Sequence, residues 1–208
     1  MSNIRLTKNE LRNQQHKAAQ LSRYLPTLQL KKAMLQLEVF SVQAVIDETE
    51  LEFDHLRNKA LKFAGMLSQP GMKKFLDALE IKEIFTSLEN IAGVEINNLE
   101  KVEFYETEYS LITTPFWWDS ALMKARELVT FREKLFFLRK KKALLEEELR
   151  AVSIRVNLFE KILIPRTMAN IKKIKVFLGD QQLSSVATSK VAKQKITLKK
   201  RLEEERFA

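Results

Sequence analysis

The chain is 208 residues long, 30% of them Asp, Glu, Lys or Arg, with four Gly, four Pro and no Cys. So little Gly and Pro excludes an all-β sandwich and a turn-rich α/β fold. The missing Cys excludes a disulfide framework, a thiolate nucleophile and a thiolate metal site. The formal net charge is +9, and it is unevenly spread: residues 1–40 carry +5, 41–67 carry −2, 68–120 carry −6 and 121–208 carry +12. Both termini are therefore basic and the middle is acidic. A chain folded back on itself would have one basic and one acidic end, which points to a different partner at each. The start, Met-Ser-Asn-Ile-Arg, has no apolar signal core, and no run of 18 uncharged apolar residues occurs. These features predict a cytosolic, soluble chain.

Residues 1–67 read as one long helix. With Leu11 as an a position, the a series is Leu11, Ala18, Leu25, Lys32, Val39, Ile46, Phe53, Ala60 and Leu67. The d series is Gln14, Leu21, Leu28, Leu35, Val42, Thr49, Leu56 and Phe63. Fourteen of these 17 positions are apolar, more than an ordinary amphipathic surface helix sustains. From Leu11 to Leu67 such a helix is roughly 85 Å long, several times the diameter of a compact domain. This is a coiled-coil strand.

Residues 68–120 have a different grammar. Ser68-Gln69-Pro70-Gly71 closes the first helix. Met72, Phe75, Leu76 and Leu79, then Ile84, Phe85, Leu88 and Ile91, predict short amphipathic helices. Past Gly93 the period changes to two: Val94 and Ile96, a turn at Asn97-Asn98, then Val102 and Phe104. That alternation predicts a β-hairpin. Thr114-Pro115 offers an N-cap and first-turn proline for a return helix, with Asp119 as a competing cap.

The return helix, 121–178, carries a stripe at Leu128, Phe131, Leu135, Leu138, Lys142, Leu145, Leu149, Val152, Val156, Phe159 and Leu163. After Pro165 the stripe shifts by one, to Met168, Ile171, Ile174 and Leu178. Gly179-Asp180 reads as a break or a weakened turn, and 179–208 as a polar, basic tail or helix extension. The two seams are natural partners for each other, and Pro26 and Pro165 read either as a shared bend in the pair or as two independent, tolerated kinks. The fold class is mainly α: a long antiparallel two-helix coiled coil with a small α+β head.

No catalytic constellation emerges. His16 and His55 have no zinc-ligand spacing, the four glycines form no phosphate-cradling loop, and Glu146-Glu147-Glu148 fan around a helix axis instead of converging. No enzyme activity, cofactor or metal is expected.

Three stretches resemble a known family. IRLTKNELRNQQHKAAQLSRYLPTLQLKKAMLQLEV (4–39) is similar to the start of the D subunit, the central rotor stalk, of the V-type and archaeal-type rotary ATPases. RVNLFEKILIPRTMANIKKIKVFL (155–178) resembles that family's signature stretch, with Arg155, Val156, Asn157, Glu160, Ile164, Pro165 and Ile171 in place. YSLITTPFWWD (109–119) resembles the family's entry into its second helix. The resemblance implies a non-catalytic central rotor shaft that transmits torque between the membrane ion-translocating ring and the nucleotide-binding hexamer. It also implies the partners: catalytic and non-catalytic nucleotide-binding subunits, a small F subunit, and a funnel-shaped subunit above the membrane ring. The chain would then be cytoplasmic and peripheral to the membrane.

Within that frame, the basic residues Arg5, Lys8, Arg12 and Lys17, with Arg166, Lys172, Lys173 and Lys175, are candidates for hexamer contact. Val94, Ile96, Val102 and Phe104 of the hairpin are candidates for docking the F subunit. Two other readings compete. The run Arg139, Lys140, Lys141, Lys142 and the Lys-rich tail suit phosphate contacts, but no nucleic-acid reading module or stacking platform accompanies them. A cytosolic scaffold on the same helical hairpin is the other.

Overall fold

The structure, a computed structural model, describes residues 4–61, 65, 72–106 and 115–207. In chain order the elements are α1 (Lys8–Leu61), α2 (Met72–Asp77), β1 (Ile81–Ile91), β2 (Val94–Phe104), α3 (Trp118–Leu158), a π-helical turn (Phe159–Leu163) and α4 (Ile164–Phe207). The expected coiled coil with a small α+β head is the observed class. The chain divides into two compact units, Met1–Gln29 with Ile154–Ala208, and Leu30–Ser153.

Every described a and d position of α1, from Leu11 to Ala60, is buried or half-buried. The closing residues 66–71, where the first helix was expected to end, lie outside the described residues. In the second unit the seam is driest at Leu35, Val42 and Ile46 on α1 and at Leu135, Leu145 and Val152 on α3. Burying a side chain of this size contributes about 1.5–3 kcal/mol, so the seam dominates the stability of the pair. Thr49 replaces a hydrophobe in the seam and is buried. Its hydroxyl donates to the Val45 carbonyl at 2.7 Å, so no polar group is left unpaired there. Lys31 bonds Glu148 and Arg139 bonds Glu50, each at 2.7 Å, which fixes α1 and α3 as antiparallel neighbours.

The head has its own core. Phe75 and Ala78 from α2 and its exit meet Trp118 and Leu122 from the first turns of α3, flanked by Leu79, Trp117, Ala121 and Ala125. The Phe75 and Trp118 rings stand edge to face, centroids 5.3 Å apart. Asp119 lies within the first turn of α3, where its charge complements the helix dipole, and Thr114 lies outside the described residues.

Two expectations for the head are corrected. Residues 81–91 form a strand, not a helix, and the hairpin turns at Ala92-Gly93, not at Asn97-Asn98. Ala92 and Gly93 have φ of 52° and 85°, the two positive values a tight two-residue hairpin turn requires. The Gly93 N–H donates to Asn90 Oδ1 at 2.9 Å and closes the turn. Two register shifts, between Ile81 and Glu83 and between Phe85 and Thr86, rotate the ribbon locally. Half-buried positions on β1 consequently fall at 81, 84, 87 and 91, a spacing that imitates a helix.

In the first unit, Ala18 on α1 and Val156, Thr167 and Ile174 on the return helix are buried. The stripe does shift after Leu163, as expected, but Thr167 takes the inward place and Met168 is exposed. The π turn is the cause. It accommodates one extra residue without rotating the inward face, so Leu163 is followed by Thr167 and then by Ile171, Ile174 and Leu178. Gly179 does not break the helix: α4 runs through it, and every residue from 180 to 201 is exposed.

Candidate binding surfaces

The acidic hairpin lies against both helices of the second unit. Its inner face buries Ile96 and Val102, at 1% and 9% exposure. Lys141 of α3 is drawn under it, donating to Glu89 Oε2 at 2.8 Å and Asn98 Oδ1 at 3.3 Å, while Asn98 donates to the same Glu89 oxygen at 2.5 Å. These bonds, Lys141 foremost, hold the Glu89 carboxyl below its ordinary pKa. The tip reaches α1, where Lys31 Nζ lies 3.9 Å from the position of a Cβ on Gly93. Between hairpin and helices runs a groove of about 330 Å³, walled by Val42, Val45, Leu99, Phe137 and Leu138.

Arg126 locks the base of the hairpin to the head. Its Nε and Nη2 donate to the Ala78 carbonyl at 3.1 and 3.0 Å, and Nη2 also donates to the Tyr105 carbonyl at 2.9 Å. The guanidinium lies over the Phe104 ring, 5.3 Å from its centroid. Nothing in local spacing marks this residue, because its three partners come from the exit of α2, from β2 and from the strand exit.

Of the four predicted docking residues, Ile96 and Val102 face inward and offer no surface. Val94 and Phe104 are half-buried. The apolar side chains the hairpin does present are Phe85 and Leu88, the latter 71% exposed. A second apolar surface lies on α1 itself, opposite its seam: Leu30, Met34, Leu37, Phe40 and Leu51 are all more than half exposed. Hydrophobes on both faces of a helix are more than a two-helix seam needs.

The predicted basic residues, Arg5, Lys8, Arg12 and Lys17 on the N-terminal segment and Arg166, Lys172, Lys173 and Lys175 on α4, are all exposed and all belong to the first unit. Among the described residues, no group of three or more His, Cys, Asp or Glu is placed to hold a metal ion. No helix among them is long and apolar enough to cross a membrane.

The model of the ATP synthase D subunit family matches residues 10–194. The chain belongs to that family. Over 200 residues it is 44% identical to the V-type ATP synthase D subunit of Chlamydia pneumoniae, covering 95% of each chain. It is 43% identical to the protein of the same description from Chlamydia trachomatis serovar L2, covering 94% of this chain and 97% of that one. The Chlamydia muridarum relative is 44% identical over 196 residues, with the same two shares. A D subunit is one component of a rotary ATPase, and the matched region includes nearly all of α1, all of α3 and the hairpin, and most of α4.

Proposed function

We propose that this chain is the non-catalytic central shaft of a V-type ATP synthase, carrying torque between the membrane ion-translocating ring and the nucleotide-binding hexamer. The observation that carries this reading is the seam: every described a and d position of α1 is at least half-buried, along a helix of 54 residues. A helix packed along a long seam resists twist and bending more than a chain of small domains does. It works at the cytoplasmic side of the membrane, as a peripheral part of the complex.

The basic terminal section is the part that enters the hexamer. Arg5, Lys8, Arg12, Arg166, Lys172, Lys173 and Lys175 ride against acidic loops of the catalytic and non-catalytic nucleotide-binding subunits. Attraction of this kind is long-ranged and tolerates sliding, unlike interlocked apolar packing. Lys172, Lys173 and Lys175 replaced together by Gln lower ATP-driven ion transport per ATP hydrolysed in the assembled complex. Unchanged coupling overturns the assignment.

At the acidic end the chain seats on the funnel-shaped subunit above the ring and docks the small F subunit. Because Ile96 and Val102 are buried, docking falls to Phe85 and Leu88 of the hairpin and to the outer stripe of α1, Leu30, Met34, Leu37, Phe40 and Leu51. Leu37→Glu with Phe40→Glu weakens capture of the F subunit by at least about tenfold, since two buried hydrophobes are worth about 3 kcal/mol. Full retention sinks the docking face while leaving the shaft reading intact.

A further inference from the structure

We propose that the paired helices of the first unit contain a soft joint, made by Pro26 on α1 and by the π turn with Pro165 on the return helix. A helix owes its stiffness to an unbroken ladder of N–H to carbonyl bonds, and sharp bending concentrates where the ladder fails. Pro26 has no N–H to give the Ser22 carbonyl, yet α1 runs through it. On the other strand the Ile164 N–H goes to the Phe159 carbonyl, five residues back. The next residue, Pro165, has no N–H, so the Glu160 carbonyl has no helical donor. Within α1, α3 and α4 these are the only prolines.

Both interruptions lie near the same edge of one compact unit. Pro26 is three residues from its edge at Gln29, and the π turn begins five residues past its edge at Ile154. The basic residues of α4 and of the N-terminus lie beyond them. Side-chain hydroxyls bond carbonyls beside the two gaps without filling them: Thr27 Oγ1 donates to the Tyr24 carbonyl at 2.7 Å, and Thr167 Oγ1 lies on the Leu163 and Ile164 carbonyls, the latter at 3.1 Å. Thr167 is also buried in the seam. The packing is thus pinned where the backbone ladder is open, so the strands flex here without parting. The joint confines twist and bend to a short stretch and leaves the seam on either side of it stiff. It is a property of this chain alone and holds whether or not the chain works as a shaft.

Hydrogen exchange on the full chain tests it. Amides in 23–27 and 160–168 exchange on the order of tenfold faster than comparably exposed amides at 36–40 and 147–151, because local opening there costs less. The double variant Pro26→Ala, Pro165→Ala restores the donors and brings the rates within about twofold of those references. Thr167→Val keeps the packed shape but removes the hydroxyl, and speeds exchange across 160–168 by about fivefold. Uniform exchange along the wild-type helices overturns the proposal, as does a double variant whose rates match the wild type.

Discussion

Replacing Arg126 by Ala tests how the head is held together. The change deletes both donors to the Ala78 carbonyl, the donor to the Tyr105 carbonyl and the cation over Phe104. Ala78 is 1% exposed with Arg126 in place, so its carbonyl loses both donors and regains at most what water entering the vacated space supplies. A charge-assisted bond of that kind is worth about 1.5–3 kcal/mol. Tyr105 is about half exposed, so its carbonyl recovers most of its loss from water. The cation–aromatic contact adds roughly 0.5 kcal/mol. The total is about 2–4 kcal/mol, and it falls on the head and not on the seam. Trp117 and Trp118 are the only tryptophans in the chain, and both belong to the head core. Their fluorescence therefore reports the head while far-UV circular dichroism reports the helices. In urea, the Arg126→Ala fluorescence transition moves to lower concentration and separates from the dichroism transition. Arg126→Lys falls between, since an ammonium cannot fork between two carbonyls with the planar geometry of a guanidinium. A fluorescence midpoint unchanged in Arg126→Ala, or equal losses in both signals, refutes the clasp.

The packing and the charges support three further predictions. Leu145→Ala, at a position with no exposure, lowers helix-pair stability by about 2–5 kcal/mol, while Leu37→Ala, at 69% exposure, stays within about 0.5 kcal/mol by the same urea titration. The Glu89 carboxyl is held below its ordinary pKa of 4.5 in the fold, so its bond to Lys141 contributes above that value and is lost as pH falls through the lowered one. The hairpin accordingly loosens below about pH 4.5, and Glu89→Gln removes that part of the pH dependence in a proteolysis-protection titration of β1 and β2. Finally, Ala92→Gly relieves the positive φ at the turn and stabilises the hairpin by about 1 kcal/mol, whereas Gly93→Val destabilises it, both read by strand amide exchange.

The long helices were legible because their partner is another helix of the same period. Leu11 through Ala60 announce the seam by spacing alone, and even its polar members, Gln14, Lys32 and Thr49, are at least half-buried where the heptad puts them. The head was legible only in kind. Ile81 to Ile91 carry hydrophobes at helical spacing, and what makes them a strand is pairing with Val94 to Phe104 across Ala92-Gly93, a non-local gain that local periodicity does not register. Four β-branched residues at 81, 84, 86 and 91 were the available signal. The same limit applies to the docking surface. Alternation in 94–104 shows which residues share a face, but not which face turns inward, and Ile96 and Val102 turn inward. Met168 and Thr167 differ by one position, and only the π turn before Pro165, a backbone feature, decides between them.

The last part of α4 has a consequence for the stability of that segment on its own. From residue 180 to residue 201 each side chain is exposed, Leu183, Val186, Val191, Ile196 and Leu198 among them. A helix that buries nothing relies on its backbone bonds and intrinsic propensities, and about twenty residues of it are marginal in water. Its order is therefore conditional. A surface that covered those five hydrophobes would add the burial that this segment lacks on its own. Any ordering entropy would then be lost on contact, lowering affinity per unit of buried surface.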